Sequence, residues 1–204
     1  MFEKVTNHFK KNKEENFEGL EIFDSGIDHD PDRNFTIEII EKENEISLRL
    51  THQSGDTYDL DNVLPDGDCS FIQAEENNGI FSHTYYPKEN SSRIEIQTDQ
   101  VNRRDFLLNV FHEIGHAQQS QNPSSPIGQT HIQQGRLKDS ITHLTNNNLT
   151  PEEQKAFRKL DYVLSDQTMI LERNAWAWAL TELRYFEEQG YDVLQWFWKR
   201  ETYR

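Results

Sequence analysis

Cysteine is nearly missing from this chain: Cys69 is the single one in 204 residues. An internal disulfide is therefore excluded, and the composition fits a reducing compartment. Basic residues are scarce too, with 21 Lys and Arg against 36 Asp and Glu, a formal net charge of -15. A surface of that sign repels phosphate backbones and anionic lipid, so nucleic acid and membrane surfaces are poor partners. It favours cations or basic substrates instead. Long apolar runs are also lacking. No stretch approaches the roughly 20 apolar residues that span a bilayer. The opening MFEKVTNHFKKNKEENF carries lysines with no apolar run behind them, so no secretory signal is expected. These features together predict a cytoplasmic protein.

What is present reads as a folded globule with a heavily solvated surface. Hydrophobic residues make up 34% of the chain, and the 11% that are aromatic are bulky and clustered, enough to build a core. The length suits one domain over 1–204. Residues 1–34 read as an N-terminal helix, with Phe2, Val5 and Phe9 on one side, followed by the turn-rich loop DSGIDHDPDRN. Asp28, Asp30 and Asp32 imitate the start of a calcium loop. Pro31 and Arg33 interrupt it, and Ile39 stands where the twelfth-position glutamate belongs, so a solvated turn is expected.

Residues 35–98 follow strand grammar. FTIEII, EISLRL, TYDL, CSFIQA, IFSHTYY and RIEIQT are short β-branched and aromatic runs separated by turn-forming residues. They predict a mostly antiparallel meander of five or six strands. Residues 99–204 change to helical spacing. Asp99 is a candidate N-cap for a helix carrying Leu107, Val110, Phe111, Ile114 and Ala117. Residues 118–149, rich in Gln, Asn, Ser and Thr, read as an inserted lid or loop. Thr150 to Glu153 form a capping box for a helix to about Tyr162. A further helix is expected from Ser165 or Asp166 to Gln189, ended by Gly190, and a last one over YDVLQWFWKR. Trp176, Trp178, Trp196 and Trp198 read as packing between these last helices. The fold class is α+β, a sheet followed by a helical half.

The chemistry concentrates in HEIGH, residues 112–116. Residues four apart on a helix lie one turn from each other on the same face. His112 and His116 thus point the same way and suit a single zinc ion, Zn2+. Glu113, one step round the helix, reaches a water beside that ion and suits the general base. Gly115 lets a neighbouring element approach closely. The competing reading is an ordinary helix that happens to carry two imidazoles.

A hydrolytic zinc site needs three protein ligands and an open place for water. Three sources for the third are open. Glu172, in MILERNAWAWAL, is a carboxylate among Ile170, Leu171 and Ala175, where it needs a partner; the bland alternative is a surface pair with Arg173 or Arg184. Ala175 is small, so its helix is able to press against the histidine helix. Cys69 would complete a Cys-His-His set of the peptide deformylase kind, but no glycine directly precedes it, and it also suits a small buried apolar role. His131 or His143, from the 118–149 segment, is the third source. Metzincins place their third histidine six residues after the second, where this chain has Asn122, which excludes that family.

HEIGH followed by Glu172 and Ala175 in E-x-x-A spacing resembles the gluzincin zinc metallopeptidases, with small soluble minigluzincins the most similar. The resemblance covers about residues 92–188 and implies a zincin-like fold. It also implies His112, His116 and Glu172 as metal ligands, Glu113 as base, a peptide or protein substrate, and an edge strand at Arg93 to Gln97 along the cleft. The chain departs from the pattern at Trp176, where many gluzincins carry an aspartate that supports a ligand histidine. Asn174 or Asp166 would have to take over that support. The segment between His116 and Glu172 is also long, and it suits a cover that restrains activity. For the carbonyl oxygen that becomes charged during hydrolysis, the candidate donors are His143, Tyr162, Tyr185 and Tyr191. Besides the expected zinc metallopeptidase stands a second class of function: a metallopeptidase fold kept for binding or regulation with little turnover.

Overall fold

The computed structural model describes residues 33–43, 45–74, 81–86, 88–145 and 149–194, with the side chains at 139 and 142–145 left outside that description. The expected N-terminal helix, the Asp28–Asp32 turn, Trp196 and Trp198, and the side chain of His143 fall outside it.

Alternation of apolar and polar residues produces six strands: β1 (Phe35–Lys42), β2 (Glu45–His52), β3 (Thr57–Asp59), β4 (Asp68–Gln73), β5 (Phe81–Tyr86) and β6 (Ser91–Ile96). β1 and β2 pair as a hairpin, with Ile37 opposite Leu50 and Ile39 opposite Leu48. Glu43, in the turn between them, takes the left-handed conformation at φ +41°. The sheet order is β1-β2-β4-β6-β5, with β3 also on β2. The sheet is mostly antiparallel, as expected, but it is not a meander: one pairing, β4 with β6, is parallel. β6 returns into the slot between β4 and β5, parallel to β4 and antiparallel to β5. The alternation in each run fixes which face is buried but carries no information on which neighbour a strand chooses.

The helical half holds α1 (Phe106–Gln121), α2 (Pro126–Thr145) and α3 (Pro151–Glu188). Asp99 does not cap α1, because residues 98–100 form a short 3-10 turn. Asp105 stands at the N-cap, its carboxylate gripped by Arg103 at 2.8 and 2.9 Å. The sheet face bearing Leu48, Leu50, Phe71, Ile94 and Ile96 meets Phe106, Val110, Phe111, Ile114 and Ala117 of α1, all buried. Ala179, Leu183 and Phe186 of α3 join the same core. α1 thus lies between the sheet and α3, and its histidine turn is held by packing on both sides.

Two expectations change in this half. The 118–149 segment is largely helix: Ser125 Oγ accepts the Gly128 N–H at 3.0 Å, and α2 then runs for 20 residues. Its Gln and Thr content hid a helix with little apolar periodicity. The two helices expected over 151–189 are one helix of 38 residues, opened by the Thr150/Glu153 capping box. Ser165 and Asp166 make good caps where a helix begins, but no proline or glycine interrupts 152–189, so nothing stops propagation through them. Gly190, at φ +92°, ends the helix, and the Tyr191 N–H donates to Phe186 O at 3.0 Å. Asn34 then binds Gly190 O and the Asp192 N–H, tying the start of the sheet to the end of α3. No helix among the described residues is long and apolar enough to cross a membrane.

Candidate metal centre

Gly115 decides how closely the two site helices meet. A Cβ there would stand 2.9 Å from Ala175 O and 3.0 Å from Ala175 Cα. Only hydrogen at position 115, opposite a small residue at 175, allows α1 and α3 this approach. His116 directly follows Gly115, and His112 and Glu172 stand about one turn before Gly115 and Ala175 on their helices. Their facing atoms converge: His112 Nε2 to His116 Nε2 is 3.1 Å, His112 Nε2 to Glu172 Oε2 is 3.1 Å, and His116 Nε2 to Glu172 Oε1 is 3.4 Å. A divalent ion bound tetrahedrally at about 2.0–2.1 Å sets its ligand atoms about 3.3–3.4 Å apart. The donor set is two imidazole nitrogens and a carboxylate, and the spacing fits. His112, His116 and Glu172 form a group able to hold a metal ion, all ligand atoms lying within 4.8 Å of one another.

The histidines are supported in two different ways. His116 Nδ1 meets Gln119 Oε1 at 3.1 Å. Gln119 is itself buried, and its amide donates to Leu171 O at 2.8 Å and Asn174 Oδ1 at 3.0 Å, which joins α1 to α3 just beside Glu172. The support for His116 therefore comes from Gln119, and Asn174, the expected source, reaches the histidine through it. A glutamine one turn after the second histidine was the available signal. Asp166 is not among the groups within hydrogen-bond reach of either histidine. His112 Nδ1 is buried with no hydrogen-bond partner among the described residues. Its ring instead stacks on the Trp176 indole, centroids 3.9 Å apart and planes at 26°. Trp176 thus substitutes a flat apolar support for the hydrogen bond that an aspartate at that place would accept. We expect Gln119→Leu to weaken the affinity of this group for a divalent metal ion about 10–100-fold, as loss of an outer hydrogen-bond partner does, while Gln119→Glu retains it; competition titration against a chromogenic chelator reads both.

Glu113 lies beside this group and outside it. Burial first, and the neighbouring Glu172 carboxylate second, push its carboxyl up to about 7. A proton acceptor poised near neutral pH suits general-base work. Burial, and then His116, hold His112 down at about 4, so this imidazole is neutral and open to a cation at neutral pH.

These residues line one cavity of about 380 Å³ with Phe81, Ser82 and His83 of β5, His131, Gln134 and Lys138 of α2, and Thr168 and Leu171 of α3. A larger cavity of about 760 Å³ runs beside α3 from Pro151 to Val163 and contains none of the site residues. The edge strand at the site is β5. The expected one, Arg93 to Gln97, largely coincides with β6, an interior strand. His83, which carried no recognisable signal in FSHTYY, stacks against His116 with ring centroids 6.3 Å apart. Its Nε2 meets Ser92 Oγ at 3.2 Å, and burial above all holds its pKa down at about 3.

Cys69 does not join the site. It lies in β4 beside a separate cavity lined by Lys42, Asp61 and Gly67, and burial pushes its thiol up to about 12, far from a thiolate ligand. His131 lines the site cavity but stays outside the ligand group. Tyr162 and Tyr185 are exposed, and Tyr191 packs on Phe35 and Phe186, so none of the three faces the cavity. No family model, curated protein or solved structure matches the chain.

Proposed function

We propose that the chain is a zinc-dependent metallopeptidase, with His112, His116 and Glu172 holding the ion and Glu113 acting as general base. The observation that carries this reading is the convergence of two imidazole nitrogens and a carboxylate at 3.1–3.4 Å, with a second, half-buried carboxyl group, Glu113, lining the same cavity outside the set. When bound, zinc polarises a carbonyl oxygen and makes a neighbouring water more acidic. The chain's own residues do the rest. Glu113 takes one proton from water as the water oxygen bonds to the carbonyl carbon. The same carboxyl then gives that proton to the amide nitrogen as the C–N bond breaks, so no co-reactant beyond water is needed. Among the described residues β5 pairs only with β6, so its other edge offers backbone groups to an extended peptide laid along the cavity. Trp176 and Leu171 keep the histidine side of the site apolar, which strengthens its electrostatics.

The test is metal content together with cleavage. The protein loaded with zinc and desalted should retain about one equivalent, as the one three-ligand group among the described residues implies, and should cleave a fluorescence-quenched peptide pool randomised at every position. Chelation should stop cleavage, and added zinc should restore it. Glu172→Ala should lose both the metal and the activity. Retained zinc with no cleavage of the pool would turn the reading to the binding or regulatory alternative, and a wild-type chain that keeps no zinc would remove both.

A further inference from the structure

We propose that His131, brought in by α2, donates the hydrogen bond that stabilises the carbonyl oxygen during attack; this rests on the hydrolytic reading above. Addition of water to an amide moves negative charge onto that oxygen, and a donor already fixed where the charge develops lowers the barrier most. The donor must come from the cavity wall. The tyrosines at 162, 185 and 191 face elsewhere. Lys138 is an exposed cation at the cavity rim. His83 is in the wall, but its Nε2 is engaged with Ser92 Oγ, which continues to Ser120 Oγ at 3.3 Å. His131 is in the same wall, and its ring nitrogens meet no hydrogen-bond partner among the described residues.

Its placement suits the task. The His131 ring stands edge-on to His83, centroids 6.5 Å apart, and to Tyr85 at 6.1 Å. His83 in turn stacks on the ligand His116. His131 is thus one ring beyond the ligands, outside their group, and it lines the same cavity as they do. Two hydrogen bonds hold α2 on α3: Gln134 Nε2 donates to Thr168 Oγ1 at 2.9 Å, and Gln167 Nε2 donates to Gln133 Oε1 at 3.1 Å. Thr168 lies one turn before Glu172, so the same contact that seats His131 references it to a ligand. Burial, then His116 and Lys138, lower the pKa of His131. The imidazole is therefore neutral at pH 7, carrying one N–H to donate and no charge to repel a cation. The polar segment between the two halves of the motif would then be part of the catalytic machinery as well as a cover.

The experiment compares His131→Ala and His131→Gln with the full zinc-loaded chain. The probes are the randomised quenched peptide pool, a phosphinic peptide pool whose tetrahedral anion mimics the charged oxygen, and acetohydroxamate, which only chelates. For His131→Ala, kcat/KM should fall about 10²–10³-fold, mainly in kcat, as removal of one such donor does. Phosphinic peptides should bind about 10²-fold more weakly, with zinc content and acetohydroxamate binding unchanged. His131→Gln, which keeps an N–H, should recover a large part of both losses. Cleavage by His131→Ala within about threefold of wild type, below any effect expected of a lost donor, overturns the inference. Loss of zinc in that variant also overturns it, by making His131 a ligand. Equal weakening of both inhibitors with no rescue by Gln overturns it too, by making His131 structural. A wild-type chain that cleaves nothing, or a Glu113→Gln variant as active as wild type, would instead remove the parent reading.

Discussion

Glu113→Gln is expected to lower kcat on the order of 10³-fold or more while zinc content stays at the wild-type level, because general-base transfer contributes about 10²–10⁴-fold. The amide has nearly the shape of the carboxyl group but cannot take a proton from water. It lies outside the group of ligand atoms, so the loss falls on chemistry and not on metal. The variant also carries an internal control against unfolding. In the metal-free chain Glu113 is a carboxyl whose folded pKa, about 7, is raised above the ordinary value of 4.5. Its ionisation therefore costs nothing below the unfolded pKa, and the cost is fully present once pH exceeds the folded pKa. A glutamine has no such cost. At pH 8 the metal-free Glu113→Gln chain should unfold at a higher temperature than wild type, and at pH 4 the two should nearly coincide. Calorimetry at both pH values and peptide cleavage check the pair of results. A stable, zinc-loaded variant that still cleaves at the wild-type rate would remove Glu113 from the mechanism.

Gly115→Val is expected to damage the site from behind. The first added carbon already meets the Ala175 backbone at 2.9 and 3.0 Å, and backbone atoms within a helix cannot move aside as a flexible side chain would. α3 must shift away from α1, and Glu172 shifts with it. Overpacking of this kind costs about 1–3 kcal/mol. For a chain of this size that corresponds to a melting temperature lower by roughly 2–12 °C. Zinc affinity should fall by at least the roughly 10–100-fold that loss of an outer support costs, because one ligand is carried out of line with the other two. Gly115→Ala should show the same effects at smaller size. Scanning fluorimetry and a zinc competition titration read the two quantities together. Unchanged zinc affinity in a destabilised Gly115→Val chain would show that the approach of the two helices does not govern the metal group.

Much of the candidate site was legible in the sequence because its signals are local. His112 and His116 share a face by helix geometry alone, and the apolar residues between and before them orient that helix. Glu172 was conspicuous as a carboxylate in an apolar stretch, and the small Ala175 beside it matched Gly115. The alternation in 35–98 gave away the strands. The failures have equally specific causes. α2 is not legible in the sequence because its glutamines and threonines form a helix held by a polar cap and by hydrogen bonds to α3, leaving no apolar stripe to read. Ser165 and Asp166 suggest a break within α3 because capping residues look alike whether or not a helix begins there. His83 and the edge position of β5 had no local signature at all, and Gln119 was marked only by standing one turn after His116.

By itself the sequence determined which groups were chemically able to act: two imidazoles on one helical face, a carboxyl beside them, and a second carboxyl needing a partner. It did so because side-chain chemistry and the 3.6-residue turn are properties of a short segment. Only the tertiary structure decided that Glu172 meets the two histidines, that β5 and not β6 borders the cavity, that Trp176 props His112, and that His131 enters from α2. Those outcomes depend on distances between segments far apart in the chain, set by how closely Gly115 and Ala175 let two helices pack and by which strand β6 chose to lie beside.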